Sequence, residues 1–179
     1  MLERACRKLR NRFSGRPGCR IRVLRKQVKE LEGTIRHIQK DELLQLLELY
    51  QHLNSDDPPL MITSDIENLW NGILNDPNLH YLVAVKNGQL ISSCTLAIIK
   101  NLTRNARPYG LIENVVTHES YRNQGYGTAL LRKAVEIAKN VGCYKVMLMT
   151  GRKEESTLNF YEKAGFHKGE KTAFLIRFT

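Results

Sequence analysis

Seven consecutive residues, Arg122-Asn123-Gln124-Gly125-Tyr126-Gly127-Thr128, bring two glycines and a guanidinium to the start of a helix-forming run. Glycines there let the backbone approach a ligand, and the unpaired N–H groups of a first helical turn favour an anion. With Arg122 adding charge at the same place, a pyrophosphate is the natural guest. The Gly-x-Gly does not extend to a dinucleotide fingerprint, whose third glycine would fall at Leu130. It also lacks the Gly-Lys-Ser/Thr of a P-loop. Taken alone, it fits a ligand-free helix start equally well. Two further side chains could act on a guest held there. Glu113, in Leu111-Ile112-Glu113-Asn114-Val115-Val116-Thr117, is a carboxylate inside an apolar strand. Tyr161 lies in Phe160-Tyr161-Glu162-Lys163-Ala164-Gly165-Phe166. Glu113 could equally be a solvent-facing strand carboxylate, and Tyr161 a packed aromatic.

The elements that position these residues follow from periodicity and punctuation. A first strand is predicted at 34–38. A helix follows, with Asp41 as its cap and Leu43, Leu46, Leu47, Tyr50 and Leu53 as its apolar stripe. The Pro58-Pro59 stretch is a loop, and Ser64-Asp65-Ile66-Glu67 reads as a capping box opening a short helix toward Leu74. Strands at 81–85 and 90–99 flank Asn87-Gly88, a strong hairpin signal. A basic loop at 100–109 leads to the Glu113 strand at 110–117. The polar turn 118–124 then opens a helix over 125–141, whose apolar face is Leu130, Leu131, Ala134, Val135, Ile137, Ala138 and Val141, with Gly142 as its stop. A strand at 145–150, a helix at 154–164 ended by Gly165, and a last strand at 172–178 complete the chain. Strands and helices mixed in this order predict an α/β domain with a mixed sheet.

Composition excludes several classes of function. Of the net charge of +10, residues 1–32 carry 11 Lys/Arg against 3 Asp/Glu, whereas the remainder carries 17 against 15. The basicity therefore belongs to an N-terminal extension at 1–32, and a nearly neutral domain is expected at 33–179. The extension reads as a solvated arm or as one that touches RNA, anionic lipid or an acidic partner; nucleic acid is not expected elsewhere. No apolar run approaches the ~20 residues of a membrane span, and a cytoplasmic, reducing setting is expected. Cys6, Cys19, Cys94 and Cys143 make no CxxC pair, and the five histidines are scattered, so no metal is expected. There is no Gly-x-Ser-x-Gly elbow.

On strand 112–117, the Arg-x-x-Gly-x-Gly of residues 122–127, the helix that follows, strand 145–150 and residues 160–166, the chain resembles the GCN5-related N-acetyltransferase (GNAT) family. Locally it is most similar to the glucosamine-6-phosphate N-acetyltransferases in that family. It departs from those enzymes at Met149-Thr150, where they carry Asp-Cys, and at Glu154, where an Asn is usual. The resemblance implies a GNAT fold, with the sheet splayed between strands 4 and 5 and acetyl-CoA as co-substrate. It further implies that Val115 and Thr117 pair with the pantetheine arm, that Arg122, Asn123, Gln124, Gly125, Tyr126, Gly127 and Thr128 hold the pyrophosphate, and that the N–H of Val115 or Val116 meets the oxyanion. Glu113 is the candidate base and Tyr161 the candidate acid in direct transfer to a primary amine. Arg104 and Arg107 are candidate ligands for an anionic group on a small acceptor. A protein amine as acceptor, or a non-catalytic acyl-CoA-binding module, stays open at this point, and a homodimer is compatible with the family.

Overall fold

The computed structural model describes residues 31–178; most of the basic extension, with Cys6 and Cys19, lies outside the described residues. Asn87 and Gly88 both take positive φ, 52° and 78°, as a two-residue I′ turn requires. They join strands β2 (Leu79–Lys86) and β3 (Gln89–Ile99), which pair antiparallel. β1 (Thr34–His37) adds antiparallel to β2, and β4 (Tyr109–Thr117) antiparallel to β3. β5 (Val146–Leu148) then runs parallel to β4, so the order β1-β2-β3-β4-β5 makes one mixed sheet, as predicted. Among the described residues, no helix is long and apolar enough to cross a membrane.

Helices cover both faces: α1 (Leu43–Tyr50) and α2 (Ser64–Asn75) on one, α3 (Tyr126–Asn140) on the other, with α4 (Glu155–Lys163) packed beside α3. On the α3 face, Leu130, Leu131, Ala134 and Ala138 meet Leu82, Ile91, Leu96 and Ile112. On the α1 face, Leu46, Leu49 and Trp70 meet Val83, Leu90 and Val116. Each fully buried leucine here contributes about 1.5–3 kcal/mol through removal from water. Leu31 packs against the α3-side core, and Glu32 bridges to Lys86 at 2.7 Å.

Several predicted details need correction. The helix at 64–75 is capped by Thr63, whose Oγ1 accepts the Ile66 N–H at 3.4 Å, so Ser64 is its first residue rather than its cap. A 3₁₀ turn, Lys40–Glu42, stands where Asp41 was expected to cap α1, and α1 buries Leu49, which the predicted stripe omitted. Val141 is exposed past the end of α3. The last strand is absent: residues 172–178 lie outside any sheet, with Phe174, Leu175, Ile176 and Phe178 all exposed. An apolar run of this kind needs a partner strand, and β5 offers only three paired residues.

Glu42 is buried, takes both arms of the Arg36 guanidinium at 2.8 and 2.5 Å, and accepts the Gln39 N–H at 2.7 Å. The hydrogen bond from Arg36 holds its pKa below the usual carboxylate value, against the opposing effect of burial. A depressed folded pKa contributes stability above the unfolded value, near ~4.3, and loses it as pH falls through the folded one. Glu42→Gln is therefore expected to cost about 1–3 kcal/mol at neutral pH. Thermal melts at neutral and strongly acidic pH should show that deficit shrinking as acid protonates the native carboxylate.

Candidate active site

β4 carries the site. Gly110 donates its N–H to Lys145 O on the β5 side at 3.0 Å, and pairing with β5 stops at Ile112↔Leu148. β4 continues to Thr117, leaving an edge of about 16 Å, at ~3.3 Å per residue, with no neighbouring strand among the described residues. This is the splay expected between strands 4 and 5.

The pairs Ser93↔Val116 and Thr95↔Glu113 bracket an irregularity in which Asn114 and Val115 stand opposite the single residue Cys94. Asn114 sits at φ 53°, a left-handed bulge residue, and Asn tolerates that region better than most side chains. Alternation from Gly110 turns the Ile112 N–H toward β5. The extra residue then shifts the phase, so the N–H groups of Val115 and Thr117 point to the open edge and that of Val116 to β3. Ser92 Oγ reinforces the strand end, donating to Val116 O and meeting Thr117 Oγ1, both at 2.7 Å.

At the end of that edge stands the tip of α3. Gly125, the N-cap, has φ 98°, and Asn123 has φ 59°. The loop is braced by Arg122 Nε donating to Thr117 O at 3.2 Å and Gln124 Nε2 donating to Ser120 O at 3.0 Å. The N–H groups of Gln124, Gly125, Tyr126, Gly127 and Thr128 find no acceptor among the described residues. Together with the helix dipole they make an anion site.

α4 closes the other side. A Cβ on Gly127 would lie 3.1 Å from Phe160 Cζ and 3.4 Å from Thr117 Oγ1, so glycine is what lets α4 dock at the helix tip. Phe160 and Tyr161 have ring centroids 4.8 Å apart. Burial pushes the pKa of the half-buried Tyr161 up; Arg152 opposes this and Glu113 adds to it. Tyr161, Glu113 and Arg152 thus share one electrostatic neighbourhood.

Arg104 and Arg107 stand near the C-terminal end of α3. Arg107 donates to Gly142 O at 3.1 Å and Cys143 O at 3.0 Å, capping the C-terminal end of α3, and the Arg104 guanidinium lies 6.0 Å over the Tyr144 ring. The pyrophosphate loop is at the other end of α3, about 22 Å away for 15 residues at ~1.5 Å each. The sequence reading missed Arg152, and it missed a group of hydroxyls beneath the bulge: Tyr50, Ser93 and Thr95. The run Ser92-Ser93-Cys94-Thr95 inside an otherwise apolar strand was the available signal.

Residues 43–166 match the family model described as the acetyltransferase (GNAT) family. The chain is 36% identical over 141 residues to a glucosamine 6-phosphate N-acetyltransferase of Trypanosoma brucei brucei, covering 76% of this chain and 90% of that protein. It is 32% identical over 93 residues to an aminoalkylphosphonate N-acetyltransferase of Salmonella typhimurium, covering 52% and 60%. Among solved structures, a putative acetyltransferase from Agrobacterium tumefaciens superposes with a TM-score of 0.76 at 46% identity, covering 80% of this chain and 99% of that one.

Proposed function

The chain belongs to the GNAT acetyltransferase family, and from that premise we propose that it moves an acetyl group from acetyl-CoA to the primary amine of a small anionic acceptor, an amino-sugar phosphate before others. One observation carries this reading: an unpaired strand edge runs straight into a helix tip whose N–H groups are free among the described residues. A coenzyme with an amide-bearing arm and a pyrophosphate satisfies both, the arm by strand-like pairing with Val115 and Thr117, the pyrophosphate at residues 122–128. The relatives with phosphorylated or phosphonylated amine acceptors in their names support the acceptor class.

Transfer is direct. An alkylamine of pKa near ~10.4 is mostly protonated at neutral pH, and stripping that proton costs roughly 4–5 kcal/mol. Glu113 takes the proton, directly or through a water. The freed lone pair attacks the thioester carbonyl, the Val115 N–H meets the oxyanion, and the C–S bond then breaks. Tyr161 gives its O–H proton to the departing thiolate, and the phenolate so formed takes the second proton from the acylated nitrogen, leaving a neutral amide and a free thiol; the proton on Glu113 returns to water. The raised pKa of Tyr161 keeps its proton in place across the neutral range before transfer.

The deciding experiment is thiol release from acetyl-CoA across amino sugars and their phosphates, aminoalkylphosphonates, amino acids, polyamines and peptides. Fastest turnover with a phosphorylated amine supports the reading, and preference for a peptide overturns it. Arg152 lies beyond the open end of β5, within electrostatic reach of Tyr161, and is suited to the acceptor's anionic group. Arg152→Ala is expected to raise the acceptor KM by about 10-fold or more, the scale of a lost charge-assisted hydrogen bond. Arg104→Ala and Arg107→Ala, measured alongside, decide whether the far end of α3 contributes.

A further inference from the structure

Beneath the β4 bulge, three side-chain oxygens are buried without a hydrogen bond among the described residues: Tyr50 Oη, Ser93 Oγ and Thr95 Oγ1. Their placement is specific. Ser93 and Thr95 are the β3 partners of Val116 and Glu113, the two pairs that bracket the extra residue. They also pair across β2 with Val83 and Tyr81, which face α1, so both hydroxyls point to the α1 side and Glu113 shares that face. Tyr50, on the last turn of α1, lies over them. Its hydroxyl is near enough to Thr95, Ser93 and Asn114 for each to pull its pKa down, yet it has hydrogen-bonding geometry with none of them. Burial outweighs those effects and pushes its pKa up to about 12, so the group is a neutral O–H donor.

Three unpaired buried hydroxyls would cost about 1–3 kcal/mol each. Elsewhere α1 meets the sheet through Leu46 and Leu49 against Val83, Leu90 and Val116, so hydroxyls beside the bulge are not a packing requirement. A site with that many polar groups suits an enclosed water, which needs roughly two to four partners. Asn114 is exposed, so its amide closes the cluster toward solvent.

We propose that Tyr50, Ser93 and Thr95, bridged by an enclosed water to the Asn114 side chain, lock the β4 bulge in register and so make Tyr50 a positioning residue for the Val115 N–H and for Glu113. The physical reason is strand phase. A left-handed non-glycine residue costs roughly 1–2 kcal/mol. Relaxing it by one residue would either turn the Val115 N–H toward β3 or, if the far half held its register, move Glu113 off its face. The lock offsets that strain where the chemistry needs alternate phases on the two halves of β4.

This inference rests on the acetyltransferase reading above, and its test separates the two. Tyr50→Phe removes one oxygen and keeps the ring. It is expected to lower kcat by about 10- to 100-fold, with the acetyl-CoA dissociation constant within twofold of wild type, because the helix tip is untouched. In an Asn114→Gly background the bulge no longer needs anchoring, since glycine adopts left-handed φ freely. There Tyr50→Phe should cost less than threefold. Amide hydrogen exchange in residues 113–117 should speed up in Tyr50→Phe whether or not an acceptor has been found. Unchanged exchange, an unchanged kcat, or an equal kcat loss in both backgrounds overturns the lock. Absence of thiol release from wild type with every amine would instead overturn the function and leave the exchange result to judge the lock.

Discussion

Tyr161→Phe should lower kcat for acetyl transfer by about 100- to 1000-fold and leave acetyl-CoA binding unchanged, the loss expected when a positioned general acid is removed. The substitution deletes one oxygen from a half-buried ring. The docking of α4 depends on the neighbouring Phe160 against Gly127, so the helix should stay in place and the melting temperature should hold. A pH profile adds a signature that packing alone would not produce. Burial and Glu113 raise the Tyr161 pKa, so the active protonated form persists through neutrality and is lost only as pH climbs through that raised value. Wild-type kcat should therefore carry an alkaline limb above the ordinary phenol value near ~10, and the Phe variant should lack it. Thiol-release rates at saturating acetyl-CoA from neutral to strongly alkaline pH check both parts. A kcat within threefold of wild type would remove Tyr161 from the chemistry.

Gly127→Val should abolish most coenzyme binding, raising the acetyl-CoA dissociation constant by about 100-fold. A single Cβ there meets Phe160 at 3.1 Å, and the two further methyl groups of valine have nowhere to go without displacing Phe160 or Thr117. Either displacement disturbs the tip that presents free N–H groups, and at least two charge-assisted hydrogen bonds to a pyrophosphate would be lost, at about 1.5 kcal/mol or more each. Gly142→Ala is the matched control. Gly142 has φ 80° with open space around its Cβ position, at the far end of α3. That substitution should cost stability of about 1 kcal/mol through backbone strain and leave coenzyme binding intact. Calorimetric titration of acetyl-CoA into both variants separates a damaged site from a weakened fold.

What could be read from local sequence was what local physics dictates. Asn87-Gly88 specifies its turn because two successive positive φ values are affordable there. Gly125 and Gly127 mark the helix tip, since one must adopt φ 98° and the other must admit Phe160. Leu130, Leu131, Ala134 and Ala138 declare the buried face of α3 by their spacing alone. Glu113 and Tyr161 were legible as candidates because they sit at fixed positions in those elements, although nothing local says that one feels the other's charge.

Where those elements came together was a tertiary matter. Arg107 stands ahead of β4 in sequence, yet its guanidinium is held by the carbonyls of Gly142 and Cys143 past the end of α3, contacts that nothing near it in the chain announces. The tail at 172–178 is rich in strand-forming apolar residues, but such a run makes a strand only where an edge is present to receive it. The register that sets Val115 and Thr117 against the open edge depends on one extra residue opposite Cys94, and the oxygen that lies over that bulge comes from Tyr50, more than sixty residues earlier. Sequence alone determined the elements and their candidate chemistry, since turn, cap and periodicity are paid for within a few residues. Only the folded chain decided the bulge, the neighbours and the ends, because pairing and burial are settled between segments that are distant along it.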